Sequence, residues 1–274
     1  MAGSKPMDNK AIEDYAASIL KDHGLYKLPV DPFEIAKREG IRLAPGSYGG
    51  RFDGRLEFHR KKGRFLLFYA DGRTGRTEGR IRFTIGHELG HYYSEEHRRY
   101  LTSGLWHGSH TGFVSENRLE KEADRFSAAL LMPAELFRNE IRRCFGRICT
   151  LKNLIRLSER LGTSITATVL RYCELDIEAT SVILAQDGIV RFHVPSYDLR
   201  RLGFGFVAKG SQVPTTSKTA RLLKPGSDDF VEGKIDAEVW YDRAGTLYEE
   251  AHRLGYTGLT LTYLVHEDED SDDD

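Results

Sequence analysis

The segment His87-Glu88-Leu89-Gly90-His91 places two imidazoles four residues apart, with a carboxylate beside the first. On a helix, positions four apart share a face, about one turn from each other. That spacing lets both rings reach one tetrahedral zinc ion. Glu88 then points beside the metal, where it can hold a water molecule in the fourth position. Zinc acidifies such a water. Glu88 can take its proton during attack on a carbonyl and return that proton to the leaving amine. The chemistry predicted is metal-assisted peptide hydrolysis, with His87 and His91 as metal ligands and Glu88 as general base.

A zinc site of this kind needs a third protein ligand. The next long amphipathic segment, Ser115–Leu131, offers Glu116, Glu120, Glu122 and Asp124. Glu120 and Asp124 are four apart and share a face. Glu120 can ligate the metal while Asp124 accepts a hydrogen bond from the far nitrogen of a ligating histidine, an arrangement that sets tautomer and ring orientation. Glu116, one turn earlier on that face, is the alternative ligand, whereas Glu122 projects elsewhere. The bland reading makes these acids the solvated face of a helix that buries Leu119, Ala123, Phe126 and Leu130. Gly86 and Gly90 each cost a helix about 1 kcal/mol relative to alanine. Their presence predicts another element packed close against the histidine helix.

Two stretches carry a resemblance to a known family. Arg82-Phe83-Thr84-Ile85-Gly86-His87-Glu88-Leu89-Gly90-His91, followed by Glu120-Lys121-Glu122-Ala123-Asp124-Arg125-Phe126-Ser127-Ala128-Ala129-Leu130-Leu131-Met132-Pro133, resembles the ImmA/IrrE metallopeptidases. The family's second motif reads E-x-x-A-(N/D)-x-F-A-A-x-L-L-M-P. The resemblance implies that Glu120 is the third zinc ligand and that Asp124 takes the Asn/Asp position. Ser127 stands where alanine is more usual, and the loop holding Trp106, His107 and His110 has no match. No pattern assigns the group that stabilises the oxyanion; His97, Tyr100, His107, His110, Arg171 and Tyr172 are the candidates. The resemblance further implies a protein substrate, a helix-turn-helix transcriptional repressor, cut as a regulatory or stress-response switch. The rival readings are a DNA- or protein-binding regulator that keeps the zincin fold without turnover, and the peptidase of a toxin–antitoxin or phage-defence system.

The elements that position these residues read as an α+β protein. A zincin-like metallopeptidase domain is expected over residues 1–145, a helical, helix-turn-helix-like segment over 146–176, and a small α/β domain over 177–265. The first domain should contain helices at Asn9–His23 and Pro32–Glu39, the latter capped by Asp31. Strands are expected at Ile41–Ala44, Gly50–Phe52, Arg55–His59 and Arg64–Tyr69, and helices at about Thr77–Glu96, Ser115–Leu131 and Ala134–Phe145. A buried strand such as Arg64–Tyr69 could pair with an extended substrate or lie inside the sheet with no free edge. Leu151–Leu175 has the outline of a helix-turn-helix around Gly162-Thr163-Ser164, with packing or substrate docking favoured over DNA contact. The last domain should hold strands at Val182–Leu184, Ile189–His193 and Leu259–Leu264, a helix near Thr246–Leu254, and a regulatory or substrate-recruiting role.

Composition narrows the setting. The chain has 274 residues, with 40 Lys+Arg against 41 Asp+Glu. Seven of the acids lie in Glu267–Asp274, so residues 266–274 read as an acidic, disordered tail on a mildly basic body. Arg51–Arg82 carries ten bases and four acids, a patch for an acidic partner or an ordinary solvated edge. No apolar run is long enough to span a membrane, and Met1–Lys10 lacks the apolar core of a secretory signal. Three cysteines form neither a disulfide framework nor a metal motif, so a reducing, cytoplasmic setting is expected.

Overall fold

A computed structural model describes residues 8–103, 107–109, 118–146, 149–255 and 258–266. Two helices and two sharp caps open the first unit, which comprises Met1–Gly146 and Arg156–Ser164. The Asp8 carboxylate accepts from Ala11 N at 2.7 Å and starts α1, Asn9–Asp22. Asp31 accepts from Phe33 N and Glu34 N and starts α2, Pro32–Arg38, with proline in the first turn as expected. Strands β1 (Arg42–Gly46), β2 (Gly54–His59) and β3 (Arg64–Ala70) follow. Then come α3 (Glu78–Tyr93), α4 (Glu95–Thr102), the short strand β4 (His107–Ser109), α5 (Arg118–Leu131) and α6 (Ala134–Phe145).

The sheet order is β1-β3-β2-β4, with β1 parallel to β3 and the other pairs antiparallel. The strand expected at Gly50–Phe52 is instead a turn. Gly49 and Gly50 adopt φ of 63° and 72°, a left-handed pair that reverses the chain before β2. β3 lies between β1 and β2 and bonds to both. Its backbone is therefore used up within the sheet, and it offers no edge for an extended substrate. Leu56, Phe65 and Leu67 from the sheet pack with Ile12, Ile19 and Leu20 of α1, Ile85 and Leu89 of α3, and Phe126 and Leu130 of α5.

The long helix expected over Thr77–Glu96 is broken. Thr77 caps α3, and Ser94 leaves helical geometry with φ −71° and ψ 115°, serving as N-cap of α4. Gly86 and Gly90 face α5 at very short range, as their helix cost predicts. A Cβ on Gly86 would lie 2.5 Å from Ser127 Oγ, and one on Gly90 would lie 3.0 Å from Ala123 Cα. Ser127 Oγ also donates to the Phe83 carbonyl at 2.8 Å, tying the two helices together.

Leu151–Leu161 (α7) and Ile165–Glu174 (α8) supply the expected helix-turn-helix outline. The end of α7 and the turn, residues 156–164, belong to the first unit, and residues 147–155 and 165–274 form the second. The turn packs on the start of α3: a Cβ on Gly79 would meet the Thr163 carbonyl carbon at 2.5 Å.

In the second unit, β5 (Thr180–Gln186) and β6 (Ile189–Pro195), both expected as strands, form a hairpin. Asp187 and Gly188 both have positive φ in its two-residue turn. Two short helices, α9 (Tyr197–Arg201) and α10 (Thr219–Leu222), precede β7 (Phe230–Asp236), β8 (Thr246–Arg253) and β9 (Leu259–His266). The five strands order as β6-β5-β9-β8-β7, all antiparallel. The helix expected near Thr246–Leu254 is thus a strand paired on both sides. Glu249, which suggests a helix surface, is buried and accepts from Lys218 N, Thr219 N, Thr219 Oγ1 and Trp240 Nε1 at 2.6–3.2 Å. Ile183, Leu199, Phe204, Ile235, Leu247 and Leu264 contribute to the core of this unit. Among the described residues, no helix is long and apolar enough to cross a membrane.

The α3–α5 contact makes a signed prediction. Helix propensity alone favours Gly86→Ala by about 1 kcal/mol, yet the collision with Ser127 Oγ should lower stability by about 1–3 kcal/mol. Urea unfolding of Gly86→Ala should show that loss, and the same change in a Ser127→Ala background should lose most of its cost.

Candidate metal centre

The helical period of α3 sets His87 and His91 on one face, and their Nε2 atoms lie 3.0 Å apart. The close crossing of α5 delivers Glu120 to the same point. Glu120 Oε2 is 3.3 Å from His87 Nε2, and Oε1 is 3.2 Å from His91 Nε2. One donor atom from each of these three residues lies within 4.8 Å of the others. Asp124, one turn along α5, meets His87 Nδ1 at 2.8 Å. Glu122 turns aside and pairs with Arg118 at 3.3 Å. Glu116, the alternative ligand, lies outside the described residues, as do Trp106 and His110.

Glu88 is fully buried beside the pair, against the start of β2. A Cβ on Gly54 would lie 2.5 Å from Glu88 Oε1 and 2.6 Å from Thr84 Cγ2, so only glycine leaves room for the carboxylate there. The preceding residue, Asp53, is buried and gripped by Arg76 at 2.6 Å and Arg80 at 2.7 Å. These ion pairs fasten the first residues of β2 to the start of α3. They also account for part of the basic stretch read from the sequence, in which Arg73 pairs with Asp71 and Arg55 with Glu57.

His97 is buried on α4, and its Nδ1 is 2.5 Å from Nδ1 of His91. It sits behind His91, on the nitrogen opposite to the one that meets Glu120. Of the other residues considered for the oxyanion, Tyr100 is exposed, while Tyr172 belongs to the second unit and donates to Glu178 at 2.5 Å. Sequence spacing does not single out His97, Gly54 or Asp53, because each reaches the site through a turn or a strand pairing.

The electrostatics of the two rings differ. Burial disfavours a charged His87, but hydrogen bonds to Asp124 and Glu120 and the nearby Glu88 charge outweigh it, pushing the pKa up to about 10. Burial pulls His91 down to about 3 against the pull of Glu120, with the neighbouring His87 and His97 adding to the fall. Without a metal, two ring nitrogens and a carboxylate all point at one spot. A divalent cation satisfies the same three donors, so the His–His–Glu set fits a metal by both convergence and donor type.

Residues 73–172 match the family model described as the IrrE N-terminal-like domain, Peptidase_M78. The resemblance read from the two motifs is borne out, and the matched stretch contains both of them. A transcriptional regulator of Mycobacterium tuberculosis shares the fold with a TM-score of 0.61 and 13% identity, over 93% of this chain and 76% of its own. At that identity the likeness speaks for the fold alone. No curated protein matches the sequence.

Metal uptake must displace the His87 proton. Apparent zinc affinity, measured by competition with a chromophoric chelator, should therefore rise about tenfold per pH unit between about pH 6 and 9. An affinity independent of pH would show that the metal-free pair carries no proton.

Proposed function

We propose that the first unit is a zinc metallo-endopeptidase of zincin-like architecture that hydrolyses a peptide bond in a partner protein. His87, His91 and Glu120 would hold the zinc. The observation that carries this reading is their convergence on one buried point with the Glu88 carboxylate beside it. When bound, zinc supplies Lewis acidity, polarising a carbonyl and acidifying water.

The chain's own groups do the rest. Glu88 acts as general base through its carboxylate, then carries the same proton to the departing amine. Gly54 and Thr84 wall its Oε1 side, which limits how far the carboxylate can swing. Asp124 accepts from Nδ1 of His87, which keeps the Nε2 lone pair turned toward the metal position.

The resemblance to the peptidase family supports a protein substrate. A transcriptional repressor with a helix-turn-helix, made in the same cell, is the proposed partner, and its cleavage would act as a regulatory switch.

Two experiments test the reading. Incubated with repressors encoded nearby, the zinc-loaded protein should cleave its partner, and Glu88→Gln should slow cleavage by about 10²–10⁴-fold while retaining zinc. Equal cleavage by Glu88→Gln would overturn the mechanism, and binding unaffected by the change with no cleavage by either protein would favour a non-catalytic regulator. His87→Ala and Glu120→Ala should lose zinc, whereas Glu122→Ala should keep it. Gly54→Ala should also slow cleavage without releasing zinc, by at least about tenfold if Glu88 moves by an ångström.

A further inference from the structure

The two proposed ligating histidines are backed differently. His87 has a carboxylate, Asp124, on its Nδ1. His91 has a second imidazole, with His97 Nδ1 at 2.5 Å from its own Nδ1. Both rings of that second contact are buried, and their centroids are 4.1 Å apart at an interplanar angle of 77°. This contact exists because Ser94 ends α3 in an extended conformation and opens α4, which folds His97 back onto the helix it follows.

Two Nδ1 atoms at that separation share one proton, since two N–H groups facing each other would collide. To offer Nε2 to a metal, His91 must carry its proton on Nδ1. His97 must then accept at Nδ1 and carry its own proton on Nε2. We infer that His97 is a positioning residue that locks His91 in the Nδ1–H tautomer and orients its Nε2 toward the metal position. The inference rests on the proposed zinc site and adds a residue that neither motif contains.

Geometry supplies a discriminating pair of variants. In asparagine the amide Oδ1 stands close to where histidine carries Nδ1, so His97→Asn can still accept from His91. His97→Leu has similar bulk and no acceptor. Zinc affinity of the full chain should fall about 10–100-fold in His97→Leu, and His97→Asn should restore most of it. Equal affinities of wild type and His97→Leu would overturn the inference, as would an equal loss in both variants.

A measurement on the unmutated protein covers the case in which His97→Leu does not fold. In ¹⁵N–¹H correlation spectra of the zinc-loaded protein labelled at histidine, His91 should show the Nδ1–H form and His97 the Nε2–H form. A proton resident on His97 Nδ1 would overturn the inference. A wild-type protein that takes up no zinc would overturn the metal site itself, an outcome distinct from a zinc-binding protein indifferent to His97.

Discussion

The site depends on how closely α3 and α5 approach. One helix holds two histidines and the other holds Glu120, so the cluster exists only while the helix backbones nearly touch. Gly86 and Gly90 make that approach possible, with Ser127 and Ala123 filling the space that side chains on α3 would take. The two glycines weaken α3 as an isolated helix. Burial of Ile85, Leu89, Phe126 and Leu130 in the shared core, together with the Ser127 hydroxyl bonded to the Phe83 carbonyl, offsets that weakness. Ser127 is more than a small residue replacing another, because its hydroxyl supplies one of the ties between the helices.

Two carboxylates packed at the ends of α3 are met by cationic or hydroxyl partners, which offsets the cost of burying their charge. Asp53 meets two arginines and fixes the strand that walls Glu88. At the other end of α3, Glu39 accepts from Tyr92 and Tyr93 at 2.9 Å and pairs with His23 at 2.9 Å. Burial works against the charged form of Glu39, but these partners outweigh it and hold its carboxyl below the usual range. The residues immediately after His91 are thus tied to the ends of α1 and α2. Both ends of the histidine helix are anchored by ionic or tyrosine contacts, which leaves its middle turns little freedom to rotate.

The second unit follows a different logic. Its antiparallel sheet is assembled from strands whose apolar signal in the sequence is clear in β5, β6 and β9 and obscured in β8. Glu249 and Glu250 sit in adjacent positions of β8 and are both buried. Glu249 serves as an internal acceptor for the start of α10 and for the Trp240 indole. A pair of acids beside alanine reads as helix when only local preference is weighed. Pairing with β7 and β9 overrides that preference here.

Local chemistry in the chain determines the caps at Asp31 and Thr77, the amphipathic faces of α1 and α5, the hairpin turn at Asp187-Gly188, and the spacing of His87, Glu88 and His91. Each of these involves residues within a turn or two of one another, so spacing alone carries the information. The partnership of Glu120 with that pair was legible as one of two carboxylates on a helix face, and the family resemblance favoured it. Tertiary structure alone decides that β3 is interior, that residues 246–253 form a strand, that Gly54 makes room for Glu88, and that His97 returns to His91. Those facts arise from contacts between segments joined through turns and sheet pairings, where the distance along the chain says nothing about the distance in space.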